Sequence, residues 1–320
     1  MDHRVPFWPV FLLTLFTACQ HGAGDRSSSV EEIVERSQGG SGSYTGEPPY
    51  PGPCVKSGDA NGDGKPDWTL SRVYNASGQV VREVYDHGAD GRADTVYRYR
   101  YRGGNLVEKS KDSKADGSTD ARESYAYDAE GRRVKTEMDM NADGKPEKVI
   151  EFNYEASGKR SRKTMDYGGD GTVDSIWTYE YDDGGHLIRE MWDQNANGKI
   201  DETAKFFYDA DGHRVREELH RGEDAHPEQV VVYERNAAGD IVTEKLDTGG
   251  DGEFDRVIRV EYEEGRRARV EVDEGADGAV DESTEIEYDD EGNAIAERWD
   301  AGDDGAVDMV TTYDYQCWRR

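Results

Sequence analysis

The sequence predicts an all-β protein: tandem antiparallel β-hairpin repeats, ten units of about 27 residues, forming one curved or closed sheet. Three observations carry this. An aspartate- and glycine-rich loop recurs from Asp59 onward, spaced by 27 residues seven times and by 26 twice. Each loop is followed by alternating apolar and polar residues, the period of two that a half-buried strand requires. Each such run meets a turn ending in glycine and returns along a second alternating run.

Two segments precede the repeats. Charged Asp2, His3 and Arg4, the apolar run Val5 to Phe16 and the small pair Thr17-Ala18 mark residues 1–18 as a signal peptide. The apolar run is too short for the ~20 residues of a membrane-spanning helix, and Pro6 and Pro9 interrupt it. Leu15-Phe16-Thr17-Ala18-Cys19 resembles the bacterial lipoprotein signal, which implies cleavage before Cys19, lipidation of Cys19 and export. Gln20, where sorted lipoproteins of the inner membrane carry Asp, implies by the same resemblance an outer-membrane or cell-surface location. Residues 19–53 hold the lipidated Cys and a Ser/Gly/Pro-rich tether with a root-mean-square span of about 30 Å. The repeat domain is expected to occupy 54–320.

Seventy acidic against forty basic residues give a net charge of −30. Such a surface repels nucleic acid and anionic lipid headgroups and attracts cations. Only 34% of residues are hydrophobic, and a repeat array reconciles that with folding because each unit covers its neighbours' edges.

Numbering each unit from the first loop residue, it reads D-x-x-x-D-G-x-x-D, then aromatics at 14 and 16, a glycine at 20 and the return strand. In the unit Asp166 to Trp192, Trp177, Tyr179 and Tyr181 alternate with Ile176, Thr178 and Glu180, and Asp182-Asp183-Gly184-Gly185 turns the chain. The return strand places Ile188, Glu190 and Trp192 on one face and Leu187, Arg189 and Met191 on the other. Pairing position 16 with 21 predicts 14 opposite 23, as with Phe206 opposite Val215 and Tyr99 opposite Val107.

Tyr125-Ala126-Tyr127-Asp128-Ala129-Glu130-Gly131-Arg132, Tyr179 to Leu187 and Tyr288-Asp289-Asp290-Glu291-Gly292 resemble the YD (RHS-type) repeat. The resemblance implies a curved antiparallel sheet winding into a shell. The units are longer than usual for that family because each carries the aspartate loop. The array runs nearly to Arg320, leaving no room for a cargo or toxin after it.

The loops resemble the calcium loops of FG-GAP, dockerin and thrombospondin type 3 repeats. A hard cation takes six to eight oxygens, which positions 1, 3, 5 and 9 and the carbonyl of 7 can supply where Gly at 6 makes the sharp turn. The candidate ligands of several calcium ions are Asp59, Asn61, Asp63 and Asp67; Asp86, Asp90 and Asp94; Asp112, Asp116 and Asp120; and Asp139, Asn141, Asp143 and Glu147. They continue as Asp166, Asp170 and Asp174; Asp193, Asn195, Asn197 and Asp201; Asp247, Asp251 and Asp255; Asp273, Asp277 and Asp281; and Asp300, Asp304 and Asp308. Position 12 holds Trp, Tyr, Ile and similar residues instead of a bidentate Glu, Glu123 excepted, so these are not EF-hands. Position 3 is Asn only at 61, 141 and 195, so loops 59–67 and 139–147 have the fullest ligand sets. His220 to Glu228 lacks Asp at 1 and Gly at 6 and is expected to bind nothing. The same residues also suit Asx turns between strands.

Cys54 and Cys317 flank the array, and an exported pair is expected to be oxidised. A bond brings the two Cα atoms within ~6 Å, so the sheet must curl round on itself. A barrel of about twenty strands and a five-bladed propeller both satisfy this. The absence of a 54-residue alternation favours the barrel.

No nucleophile elbow, zincin helix or phosphate loop is present. His186 and His213 share position 21 and read as solvent-facing, and the glutamates at position 25 read as a structural ladder. The function expected is a non-enzymatic calcium-binding surface lipoprotein with a structural, adhesive or protein-interaction role. A carbohydrate-binding or polysaccharide-processing protein using the aromatic stripe is the alternative, and an accessory of a toxin-shell (RHS-type) system a further one. Partners are then the membrane through the lipid anchor and a protein or glycan at the cell surface, with no nucleic acid.

Overall fold

The computed structural model describes residues 52–222 and 226–318; the expected signal peptide (1–18), Cys19 and most of the expected tether lie outside the described residues. Twenty strands, β1 to β20, run from Val55 to Asp314, and a short 3-10 turn, Gln316–Trp318, follows. Every ladder is antiparallel, and successive strands pair in chain order. In addition β1 (Val55–Asp59) pairs with both β2 (Trp68–Tyr74) and β20 (Met309–Asp314), so the sheet closes into a barrel of hairpins with no edge left unpaired. At this seam Cys54 and Cys317 are joined by a disulfide with Cα atoms 5.9 Å apart.

The hairpin turns follow from the Tyr-Asp-x-x-Gly pattern. The Asp209 carboxylate accepts the N–H groups of Asp211 (3.0 Å) and His213 (2.8 Å), and Gly212 donates to the Asp209 carbonyl (3.1 Å). Gly212 has φ +82°, a left-handed conformation that costs a residue with Cβ about 1–2 kcal/mol. The tyrosine preceding the aspartate reaches backward. Tyr208 Oη donates to the Leu187 carbonyl (2.8 Å) and Tyr181 Oη to the Arg160 carbonyl (2.9 Å), both 21 residues earlier. The motif therefore closes its own turn and latches it to the preceding hairpin.

The register within hairpins differs from the sequence expectation. Between β12 (Glu202–Tyr208) and β13 (Arg214–Arg221), Phe206 lies opposite Glu217 and Tyr208 opposite Arg214, with a bulge between Phe207 and Tyr208 that leaves Val215 without a partner. Likewise Tyr99 lies opposite Lys109, and not Val107. The left-handed glycine is followed by one extra residue in the return strand, which breaks the alternation assumed from sequence. Position 22 thus moves opposite position 16, and position 23 turns outward: Ile188 and Ile295 are each 37% exposed.

Beyond the bulge the alternation is regular. Positions 12 and 14 are buried, as at Ile150 (1% exposed), Phe152 and Trp177 (3%), while Glu151, Asn153 and Glu180 are exposed. On a closed sheet side chains converge on the concave face, so the buried parity lines the interior. Burying each large apolar side chain contributes about 1.5–3 kcal/mol. Trp177 and Trp192, opposite each other on one ladder, stack with ring centroids 5.2 Å apart.

Candidate functional site

Because the sheet is an up-and-down meander, all ten aspartate loops emerge at one rim and the Tyr-Asp turns at the other. Within a loop the backbone is fixed by its own carboxylates. The carboxylate at position 1 accepts the N–H groups of positions 5 and 6, as at Asp86 (from Asp90, 3.1 Å, and Gly91, 2.8 Å) and Asp112 (from Asp116 and Gly117, both 3.0 Å). The carboxylate at position 5 accepts from position 7, as Asp90 does from Arg92 (2.9 Å). The one at position 9 accepts from position 2, as Asp94 does from His87 (2.6 Å). Position 1 is the buried member: Asp112 and Asp273 are 0% exposed and Asp193 and Asp247 3%.

At Asp59 desolvation pushes the carboxyl up, but the N–H groups of Gly64, Gly62, Asn61 and Asp63 hold it below its usual range. Asp255 is lowered by the N–H and hydroxyl of Thr248. The backbone is strained as well. Position 4 is left-handed in every described loop and is a non-glycine at Ala89 (φ 47°), Ala115, Ala142, Ala196, Ala276 and Asp303 (φ 47°). Where it is Gly169, a Cβ would sit 1.9 Å from the Pro146 carbonyl of the loop before, which explains the glycine.

The candidate ligands are thus gathered loop by loop, but not equally. Among the described residues one aspartate loop brings three carboxylate oxygens within 4.8 Å of one another: Asp139, Asp143 and Glu147. Opposite ligands of a calcium ion at 2.3–2.6 Å lie up to about 5 Å apart, so this all-oxygen set fits a hard divalent cation. Asn61 and Asn141 do not present their oxygens to the loop centre. Each oxygen accepts the N–H of position 5, and each amide donates to the carboxylate at position 9, Asp67 (3.1 Å) or Glu147 (2.8 Å). In the loop beginning at His220, Nε2 of that histidine contacts Glu218 (3.1 Å), and Arg221 bridges Glu202 and Glu228 (both 3.3 Å).

A second group lies at the opposite rim, where Asp209, Asp211 and His213 offer ligand atoms within 4.8 Å. Sequence reading treated His213 as solvated surface. The signal available was the Asp-x-Asp-x-His spacing, which the turn folds together. All three are exposed, and the Asp209 carboxylate is already engaged in closing the turn.

On the inner wall the position-25 glutamates meet tyrosine hydroxyls, Glu83 from Tyr99 (2.5 Å) and Glu217 from Tyr233 (2.9 Å), and Arg214 also binds Glu217 (2.6 Å). Glu244, 8% exposed, is pushed up to about 7 by burial and then by the charge of Glu217.

No protein-family model matches the chain, and no curated protein matches it in sequence. Solved structures with a similar fold include TcdB2-TccC3-Cdc42 (14% identity, TM-score 0.43, 72% of this chain and 13% of that one) and the Photorhabdus luminescens Tc holotoxin pore (16%, 0.42, 72% and 13%). A porin-like protein from Bacteroides uniformis is also similar (10%, 0.36, 70% and 96%). The chain spans about one-eighth of the length of the Tc toxin chains it matches.

Proposed function

We propose that this is a non-enzymatic, calcium-binding surface lipoprotein with a structural or adhesive role, its barrel carrying a rim of aspartate loops outside the cell. The observation that carries the reading is the Asp139, Asp143 and Glu147 triad, a carboxylate set of calcium spacing in a loop design repeated around one rim. These residues would hold the ion, which would offset their mutual repulsion and tie β-strands on either side of the loop together. Lipidation of Cys19 supplies the attachment. A glycan platform finds little support in the aromatic stripe, because Trp177 is 3% exposed and its stacked face is packed against Trp192 and not presented.

The test is a thermal melt of the full chain in chelator, in millimolar calcium and in millimolar magnesium. A site at ten times its dissociation constant adds about 1.4 kcal/mol, which raises the melting temperature by a few degrees. Calcium is expected to do this in the wild type and not in Asp143→Asn/Glu147→Gln. Identical melts in all three solutions sink the calcium reading.

A further inference from the structure

The ten loops of the rim are not alike in charge. Loops 59–67, 86–94, 112–120 and 139–147 each carry three carboxylates and one lysine or arginine, namely Lys65, Arg92, Lys114 and Lys145. Loops 247–255, 273–281 and 300–308 each carry four carboxylates and no lysine or arginine. Three of those twelve carboxylates meet arginines from the strands: Asp273 from Arg259 (3.2 Å), Glu274 from Arg256 (2.8 Å) and Asp303 from Arg269 (3.0 Å). Nine have no cation.

The same three loops combine that charge with an apolar residue at position 8: the first four carry Pro, Ala, Thr and Pro there, whereas these carry Phe254, Val280 and Val307, with Phe254 37% and Val307 43% exposed; Val173 and Ile200 are also apolar and exposed at this position, but in loops with only three and two carboxylates. Successive loops are two strands apart, about 10 Å, so the three apolar side chains form an arc about 20 Å long. Each is followed directly by an aspartate (Asp255, Asp281, Asp308). An apolar row, exposed at Phe254 and Val307 and half-buried at Val280, interleaved with unneutralised carboxylates is mismatched to anionic lipid headgroups, nucleic acid or a second copy of this chain, all negatively charged.

We infer that the arc of loops 247–255, 273–281 and 300–308 docks a basic amphipathic polypeptide segment. Its apolar side chains cover Phe254, Val280 and Val307, and its lysines or arginines meet the flanking carboxylates. A 20 Å arc matches about six extended residues. This deepens the interaction role proposed above; because the same carboxylates are candidate calcium ligands, the segment and the ion would compete for them, and the test is made without calcium.

The test is fluorescence anisotropy on the full chain, in chelator and at ~0.15 M salt so that weak long-range attraction is screened. The probes are labelled peptides of alternating Lys-Leu and alternating Lys-Ser, equal in length and charge. Lys-Leu is expected to bind more tightly, and Phe254→Ser/Val307→Ser to weaken it about tenfold while leaving Lys-Ser unchanged. Pro66→Ser/Ala93→Ser, the same change on two loops outside the arc, is expected to stay within about twofold. Equal binding of the two peptides, or equal loss in both variants, reduces the arc to a diffuse polyanion and overturns the inference. A wild-type dimer that Phe254→Ser/Val307→Ser dissolves overturns it in favour of a second copy. Because calcium is absent, failure here leaves the melt above unaffected.

Discussion

Removing the Cys54–Cys317 bond with Cys54→Ser/Cys317→Ser tests how the barrel is held shut. The bond closes a sequence separation of 263 residues, and chain-entropy reasoning gives a loop of that size about 5.5 kcal/mol at 25 °C. The folded state loses little else. The β1–β20 ladder stays, as do the Cys54 N–H to Asp314 carbonyl bond (2.6 Å) and Trp318, which packs on Tyr74 at 4.6 Å and donates to the Gly52 carbonyl (2.9 Å). The effect therefore falls on the unfolded chain, and for a domain of this size it corresponds to a melting temperature lower by roughly 10–20 °C. Calorimetry of wild type and variant reads it directly, and wild type with reductant is expected to match the variant. A variant that melts within about 2 °C of the oxidised wild type refutes the reasoning, since the ladder alone would then hold the ends together in both states.

Glu244→Gln is expected to remove a pH dependence. A carboxyl at about 7 when folded and near 4.5 when unfolded stabilises the fold fully below pH 4.5 and loses that contribution as pH rises to 7, about 3 kcal/mol in all. Denaturation midpoints at pH 5 and pH 8 check this, and the difference should shrink in the variant. Asp112→Ala removes a fully buried carboxylate that accepts from two loop N–H groups and is expected to cost roughly 2–4 kcal/mol in chelator, against less than ~1 for exposed Asp116→Ala; equal urea midpoints would contradict the loop geometry. Metabolic labelling with a fatty-acid analogue is expected to tag the wild type and leave Cys19→Ala unlabelled.

The period, the strand count and the closed sheet were legible because each repeat states the same pattern again, and chance does not repeat at 27 residues. The bulge was not. Alternation in Leu187-Ile188 is ambiguous, since both residues are apolar, and only the turn geometry decides which of them faces in. The loop carboxylates were legible as a set but not in how closely each set gathers. Loops 59–67 and 139–147 read alike, yet Glu147 carries its carboxylate one methylene further than Asp67, and only the former converges with its partners. What a carboxylate does for its own loop was also partly hidden. An Asp read as a ligand is equally the acceptor for its own loop's N–H groups, and both uses ask for the same residue.

The closure of the barrel also sets its orientation. The chain enters at Cys54 and leaves at Cys317 on the rim of the Tyr-Asp turns, whereas β1 runs away from that point to end at Asp59, the first aspartate loop. Entry point and acidic rim therefore lie at opposite ends of strands of about seven residues, roughly 20 Å apart. Both ends of the described chain therefore share the rim of the Tyr-Asp turns, and a pull applied through them loads the Cys54–Cys317 bond and the β1–β20 ladder while the aspartate loops hang free at the other rim.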